Sequence, residues 1–202
     1  DESAAPIDGF TFNAADGSWS FDPTVAAYDE LDAGDALTQT VTYRVTDGAG
    51  DSGTASFDII VTGTNDAPVA TFNAPQTATE DGAAVTGNLT ATDIDADDTL
   101  TFGLDAPVPG LTVNADGSWS FDPSDFAYQH LALGAQDVVT VNYTVTDSQG
   151  ATSGSSFTIT VTGVNDTPIA DFTTQQDVNE DDAVVNGQVI ESDIDAGDTH
   201  TY

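Results

Sequence analysis

The chain repeats itself at a spacing of 100 residues, and this repeat limits its fold more than any other feature. The segment VTGTNDAPVA at residues 61–70 returns as VTGVNDTPIA at 161–170, and ADGSWSFDP at 15–23 returns at 115–123. A period of this length is too long for a solenoid turn and matches one β-sandwich domain. We therefore predict three segments: the back part of one repeat at 1–65, a complete repeat at 66–165, and the front part of a third at 166–202. Because no Met stands at position 1, we expect the chain to be an interior or processed piece of a longer protein.

Alternating apolar and polar residues predict seven short strands in the complete repeat, separated by turns rich in Gly, Asp, Asn and Pro. The predicted strands are A at 68–72, B at 83–92, C at 100–104, D at 111–113, E at 119–121, F at 139–145 and G at 157–161. We expect one helical turn in the E–F crossover at 123–133. The predicted fold is all-β, with tandem immunoglobulin-like β-sandwiches of about 100 residues. Its expected core contains Trp119, Phe121, Tyr143 and Phe157.

The charge balance excludes several classes of partner. There are 35 acidic residues against one basic residue, Arg44, which gives a formal net charge of −34. No basic patch exists to neutralise phosphate, so we expect neither nucleic-acid binding nor attachment to anionic membranes. No apolar run is long enough to span a bilayer. Such acidity often indicates disorder, but 39% of the residues are hydrophobic and they alternate cleanly, so we predict a folded protein.

Sandwich topology brings many of the acidic residues to the two ends of each repeat. The B–C, D–E and F–G loops meet at one end, and the A–B loop lies at the other, beside the next repeat. The first junction should gather Asn65, Asp66, Asp93, Asp95, Asp97, Asp98 and Asp147. The second should gather Glu80, Asp81, Asn165, Asp166, Asp193, Asp195 and Asp198.

Carboxylates that converge without Lys or Arg repel one another, and a hard divalent cation relieves that repulsion. Ca²⁺ takes about six to eight oxygen ligands from carboxylates, amides and backbone carbonyls. We therefore predict calcium at both junctions, with Pro68 and Pro168 stiffening the linkers. The alternative for any single Asp is a solvated turn residue. That alternative suffices for Asp16 and Asp116, which precede Gly in hairpin turns, while Asp47 and Asp147 are intermediate cases.

Four segments together, DIDADDTLTF, LTVNADGSWSFDP, VNYTVTDSQG and VTGVNDTP, resemble the VCBS and cadherin-like repeats of very large bacterial surface proteins. Many of those proteins are RTX adhesins exported by type I secretion. The resemblance implies an extracellular, calcium-dependent extension region at the bacterial cell surface, with neighbouring repeats of the same chain as partners. The Asn-Asp-x-Pro linkers and Asp-x-Asp loops are similar to those that share calcium at cadherin junctions. The E–F loop departs from the repeat, with DELDAGDAL at 29–37 against QHLALGAQDV at 129–138.

Three function hypotheses remain open from the sequence. The first is a structural spacer that projects a distal adhesive region for attachment or biofilm formation. The second is a subunit of an extracellular matrix filament, completed by strand donation between identical chains. The third is a module that binds glycan or ice through Trp19 and Trp119 or through the Thr rows on two strands, although core packing explains the tryptophans better. Because no nucleophile, phosphate loop or repeated catalytic set is visible, and His130 and His200 occupy different repeat positions, we do not expect an enzyme.

Overall fold

The computed structural model describes residues 6–95, 98–172 and 174–202. Its internal contacts define two compact units. Of the described residues, the first unit contains 6–70, 91–95, 98–101 and 145–153, and the second contains 71–90, 102–144, 154–172 and 174–202. These units differ from the sequence repeats, because two loops of the complete repeat group with the segment that precedes it. The repeat boundaries therefore stay a prediction from the sequence.

The first unit contains two hairpins and a short paired segment. Its long hairpin joins two eleven-residue strands in full antiparallel register, from Ala36 opposite Thr62 to Thr46 opposite Ser52. One turn of 3-10 helix, Ala26–Tyr28, precedes this hairpin. The strands of this unit, in chain order, are β1 (Phe10–Phe12), β2 (Trp19–Phe21), β3 (Ala36–Thr46), β4 (Ser52–Thr62), β5 (Val69–Ala70) and, paired with β5, β8 (Ala91–Thr92).

The second unit contains a three-stranded sheet and most of a four-stranded sheet. A three-stranded antiparallel sheet has the order β10 (Leu111–Val113), β11 (Ser118–Phe121), β7 (Val85–Asn88). A four-stranded sheet has the order β6 (Gln76–Thr79), β13 (Thr152–Thr162), β12 (Gln136–Thr146), β9 (Thr101–Leu104). Strand β6 runs parallel to β13, with Thr79 opposite Thr162. The last pair is β14 (Ile169–Ala170) with β15 (Glu191–Ser192).

Aromatic side chains from the two sheets pack against each other in the core of the second unit. Trp119 of β11 lies with its ring 5.5 Å from that of Phe157 of β13, and Phe157 is 6.5 Å from Tyr143 of β12. Phe121, Tyr143 and Phe157 are at most 2% exposed, and Trp119 is 3% exposed. The predicted core is confirmed, and so is the all-β sandwich class, because alternation at period two sends these rings to the same interior.

Predicted strand A is shortened in the structure, and predicted strand B is divided. Predicted strand A forms only β5, and a second stretch that the sequence pattern missed, β6, pairs in parallel with β13. Predicted strand B is interrupted between β7 and β8. The helical turn predicted at 123–133 is a series of turns without a helix, and the single described helical turn falls at the equivalent place in the earlier copy, Ala26–Tyr28.

No helix in the described part of the chain is long and apolar enough to cross a membrane.

Candidate metal centres

The backbone of each linker is tied to the Asp-x-Asp loop that follows it, with the same geometry twice. The Asp66 amide donates to Asp95 Oδ2 at 2.6 Å, and the Asp166 amide donates to Asp195 Oδ2 at 2.8 Å. Asp95 and Asp195 are buried, at 4% and 5% exposure. The predicted convergence of linker and B–C loop is therefore present in the structure at both junctions.

At the first junction, two sets of carboxylates share Asp98. Asp93, Asp98 and Asp147 offer oxygens that all lie within 4.8 Å of one another, and so do Asp32, Asp95 and Asp98. All five side chains are at least half-buried, and Asp95 and Asp147 are buried. At such separations each pair of like charges costs about 1 kcal/mol in water and several times more in a less polar environment. The arrangement is therefore costly unless something positive binds there.

Asp147 is held in place by the turn that it begins. Its Oδ1 accepts backbone hydrogen bonds from Gln149, Gly150 and Ala151, and its Oδ2 accepts one from Asn65 Nδ2 at 2.9 Å. The Asn65 hydrogen bond and then the backbone donors lower the pKa of Asp147, while burial opposes them. This carboxylate therefore stays ionised at the junction, and its Oδ2 is presented beside the linker.

At the second junction, Glu80 is brought to the linker by the parallel pairing of β6 with β13. The Glu80 amide continues that pairing by donating to Thr162 O at 2.9 Å, and Glu80 Oε2 accepts from the Val164 amide at 3.0 Å. Oxygens of Glu80, Asp166 and Asp195 lie within 4.8 Å of one another. Glu80 is 1% exposed, although it carries a charge at neutral pH in its ordinary state.

The electrostatics of this second set are unfavourable without a cation. Burial raises the pKa of Glu80, and the neighbouring charges of Asp166, Asp195 and Asp81 raise it further, against the Val164 hydrogen bond. Burial also raises the pKa of Asp166, together with Asp81, Asp195 and Asp193. Both carboxyls thus hold protons more tightly than usual, which is the expected behaviour of anions crowded in a poorly solvated place.

Buried oxygens without hydrogen-bond partners are concentrated at the two junctions. Within the described residues, seven of the eight buried polar side-chain atoms that lack a partner belong to junction residues. They are Asn65 Oδ1, Glu80 Oε1, Asp93 Oδ2, Asp95 Oδ1, Asp98 Oδ2, Asp166 Oδ2 and Asp195 Oδ1. Leaving such atoms unsatisfied is expensive. All seven are carboxylate or amide oxygens, and this donor set fits Ca²⁺, which prefers several hard oxygen ligands.

The other predicted carboxylates that the structure describes do not join these sets. Asp81 is exposed, adopts a left-handed conformation with φ of 56°, and accepts from Gln129 Nε2 at 3.1 Å. Asn165 is exposed and donates through Nδ2 to Asp166 O, and Asp198 is exposed. Asp193 Oδ2 lies 3.2 Å from His200 Nε2, and Asp97 falls outside the described residues.

Among the residues that the structure describes, Asp32 is the one clustered carboxylate that the sequence interpretation missed. It lies in the E–F loop of the first copy, where the complete repeat has Ala132, so the repeat comparison gave no signal. The available signal was a topological one, because the E–F loop lies at the same end of a sandwich as the A–B loop. An acidic residue there faces the next repeat.

The hairpin acids have the turn role predicted for them. Asp116 Oδ1 accepts from both the backbone amide and the hydroxyl of Ser118, at 2.9 and 2.6 Å, and Asp16 has the same contacts with Ser18. The Ser118 hydrogen bonds lower the pKa of Asp116. Asp47 Oδ1 likewise accepts from backbone amides of its own turn.

The tryptophans differ between copies, since Trp119 is buried while Trp19 is 51% exposed.

The chain is similar to known proteins in sequence and in fold. Residues 65–163 match the family described as "Bacterial cadherin-like domain". This stretch covers the complete repeat almost from end to end, so the chain contains a cadherin-like repeat. No curated protein sequence matches the chain.

Solved cadherin structures share its fold. Extracellular cadherin domains 1–4 of protocadherin gamma B7 match 96% of this chain and 50% of their own, with a TM-score of 0.52 and 18% identity. Human CDH23 EC21-23 matches 94% of this chain and 67% of its own, with a TM-score of 0.52 and 19% identity. The chain thus spans about half the length of the protocadherin structure. At these identities the likeness shows the fold alone, a cadherin-like β-sandwich.

Proposed function

We propose that these repeats are calcium-stiffened extension modules of a large bacterial surface adhesin, which project a distal binding region for attachment or biofilm formation. The observation that carries the proposal is the set of seven buried junction oxygens without partners. A calcium ion at each set satisfies those oxygens and neutralises the crowded carboxylates at the same time. Secretion by a type I route and a position outside the cell belong to the same proposal.

Calcium would act on the linkers more than on the individual sandwich. The core of the complete repeat is built from aromatic and aliphatic side chains, whereas the candidate ligands lie in the loops and linkers. Extracellular calcium modules bind at about 10⁻⁴–10⁻³ M. Such repeats would therefore be loose in the calcium-poor cytosol and become stiff in calcium-rich surroundings.

A distance measurement across the first junction tests this proposal. The chain has no Cys, so Thr38→Cys with Thr140→Cys carries two spin labels, both at exposed positions. We expect a broad distribution of label distances in chelator and a narrow one in millimolar calcium. Asp93→Ala with Asp95→Ala should abolish the narrowing. Asp116→Ala, which removes a hairpin carboxylate, is the matched control and should preserve it. Equal widths with and without calcium in the unaltered sequence would show that calcium does not stiffen the linker.

One observation favours a filament subunit as a second candidate function. In the complete repeat, Trp119 packs so closely on Gly87 of β7 that a Cβ at Gly87 would lie 2.6 Å from the indole. Trp19, the equivalent residue of the first segment, is half exposed, and Gly187 of the last segment has the position equivalent to Gly87. The segment around Gly187 in one copy therefore has the sequence needed to cover Trp19 in another.

Gly187→Val separates this candidate from the spacer. A Cβ at Gly187 meets nothing within 4 Å in the isolated chain, so the variant should fold normally. If copies exchange strands, it should lose concentration-dependent assembly in sedimentation, because the added side chain collides with Trp19. Gln188→Val, which adds the same side chain at an exposed neighbouring position, tests for unrelated effects in the same segment. Unaltered chains that stay monomeric at high concentration would exclude strand exchange and leave Trp19 to be covered by other residues.

A further inference from the structure

The E–F loops of the two copies have the same backbone arrangement at their junctions. A Cβ at Gly63 would lie 2.3 Å from Leu31 O, and one at Gly163 would lie 2.1 Å from Leu131 O. The Gly63 amide donates to the carbonyl of residue 35 at 2.9 Å, and the Gly163 amide to that of residue 135 at 2.8 Å. Because each pair is offset by 100 residues, Asp32 and Ala132 occupy the same position relative to their linkers.

These equivalent positions differ in what they offer a cation. The Asp32 carboxylate lies within 4.8 Å of oxygens of Asp95 and Asp98, and the buried Asp95 has an Oδ1 without a partner among the described residues. At the second junction, Asp195 is equally buried and its Oδ1 also lacks a described partner. Ala132 has no side-chain oxygen to place there.

One contact shows that the loop and the next Asp-x-Asp segment meet at the second junction as well. The Ala196 amide donates to His130 O at 3.0 Å, so residue 132 lies close to the loop that carries Asp195 and Asp198. Asp198 is exposed there, whereas Asp98 at the first junction is half-buried. The second junction therefore has the same contact between the E–F loop and the Asp-x-Asp segment, but no E–F-loop carboxylate joins its cluster, which contains Glu80, Asp166 and Asp195.

We propose that the two junctions are unequal, the first binding calcium more tightly because Asp32 adds a ligand that Ala132 cannot supply. This inference rests on the proposed function, since it assumes that the junction oxygens bind calcium. The number of charged ligands is one of the main determinants of calcium affinity in proteins. As the calcium concentration falls, the second junction becomes flexible first. In a series of such repeats, residue 132 and its equivalents therefore determine which linkers bend.

Exchanging the two residues tests the inference in the full chain. Backbone amide resonances of Asp66 and Asp166 each report on one junction during a calcium titration by NMR. We expect Asp32→Ala to raise the calcium midpoint of the Asp66 signal about tenfold and to leave that of Asp166 unchanged. Ala132→Asp should lower the midpoint of Asp166 by a similar factor. Because Asp147 also lies at the first junction and Glu80 at the second, the contribution of residue 32 or 132 is measured within each junction. In the unaltered chain the Asp66 midpoint should lie below that of Asp166, and equal midpoints would contradict the inequality.

Two control variants change the same net charge without changing the ligand. Leu133→Asp adds a carboxylate at an exposed neighbouring position, and Asp35→Ala removes one from the first E–F loop. If Leu133→Asp shifts the midpoint of Asp166 as much as Ala132→Asp does, the effect is general charge and the inference is wrong. Calcium binding with unshifted midpoints in both exchanged variants also overturns it while preserving the proposed function. If neither amide responds to calcium, the proposed function itself fails.

Discussion

Tyr128 links two loops of the complete repeat through a single hydroxyl. It is buried, and its hydroxyl donates to Pro109 O at 2.9 Å. Tyr28 makes the equivalent hydrogen bond to Asp8 O at 2.7 Å in the first copy. Burial, with the nearby charges of Asp125 and Asp137, raises the pKa of Tyr128 to about 12. The hydroxyl is therefore held in its neutral, donating form.

Alkaline conditions should weaken the fold through this residue. An unfolded tyrosine ionises at a pKa of about 10, whereas folded Tyr128 keeps its proton to about 12. Its contribution is therefore complete below pH 10 and is lost as the pH rises toward 12. Tyr128→Phe should lower the free energy of unfolding by about 1 kcal/mol at pH 8. It should also reduce the further loss of stability between pH 8 and pH 11. Urea unfolding at pH 8 and pH 11 measures both effects, with Tyr43→Phe, at an exposed site, as control. An unchanged alkaline loss in Tyr128→Phe would show that other groups cause it.

The repeat allowed most of the junction residues to be predicted, but it could not reveal their individual partners. Asp95 and Asp195 were found because the same acids recur 100 residues apart and sandwich topology brings their loops to the linker. Asp32 was missed because it has no acidic counterpart. The contact between Asp193 and His200 was also missed, since Leu100 replaces His200 in the other copy. Repetition reveals what copies share, whereas differences between copies require the structure.

Strand β7 is adapted to the aromatic core by one glycine. Gly87 lies opposite Trp119 in the pairing of β7 with β11, and the indole covers the place where its side chain would be. This close approach explains a Gly inside a strand, which ordinarily weakens the strand. Predicted strand B was only partly right, because its alternation continues through residues that the structure divides between β7 and β8.

Gly87→Ala should destabilise the complete repeat by about 1–3 kcal/mol, because the added Cβ would lie 2.6 Å from the Trp119 ring and force the core to shift. Gly103→Ala is the matched control, since Gly103 also lies in a strand, β9, and its Cβ would meet nothing within 4 Å. Chemical unfolding followed by Trp fluorescence measures the difference. Equal stability of the two variants would contradict the tight packing of Trp119 on β7.

Strand β6 was missed for a different physical reason. Its sequence, Gln-Thr-Ala-Thr, has one apolar residue and therefore too little alternation to predict a strand. It is a strand because β13 offers it parallel hydrogen bonds and because Ala78 is small enough to be buried between its neighbours. Long-range pairing thus determines the conformation of a segment whose local sequence pattern barely favours a strand. This pairing also places Glu80, the first residue after β6, at the second junction.

For the whole molecule, a net charge of −34 makes the free energy of unfolding depend on the ions in solution. Simple salt screens repulsion between exposed carboxylates but reaches buried pairs much less. The junction sets are at least half-buried and include oxygens without described partners, so screening alone leaves their cost largely in place. Ions therefore contribute to the free energy of unfolding in two separable ways. One is general screening, which any salt supplies, and the other is specific and needs an ion bound among the junction oxygens.

Thermal unfolding at constant ionic strength separates the two contributions. We expect the chain to gain stability when NaCl is added to a salt-free sample, and to gain more when part of that NaCl is replaced by 10 mM CaCl₂, used as a round value well above the expected Kd of about 10⁻⁴–10⁻³ M. At about 10 to 100 times the Kd, each occupied site adds about 1.4–2.7 kcal/mol. MgCl₂ at the same concentration should give a smaller gain in stability, because Mg²⁺ is smaller, demands octahedral geometry and keeps its water.

Glu80→Gln with Asp195→Asn keeps the shapes of the side chains but removes two charges from the second junction. This variant should be more stable than the unaltered chain in chelator, because the repulsion around Glu80 is gone, and should gain less from calcium. If the unaltered chain gains no more from calcium than from NaCl of equal ionic strength, its junction carboxylates respond only to screening.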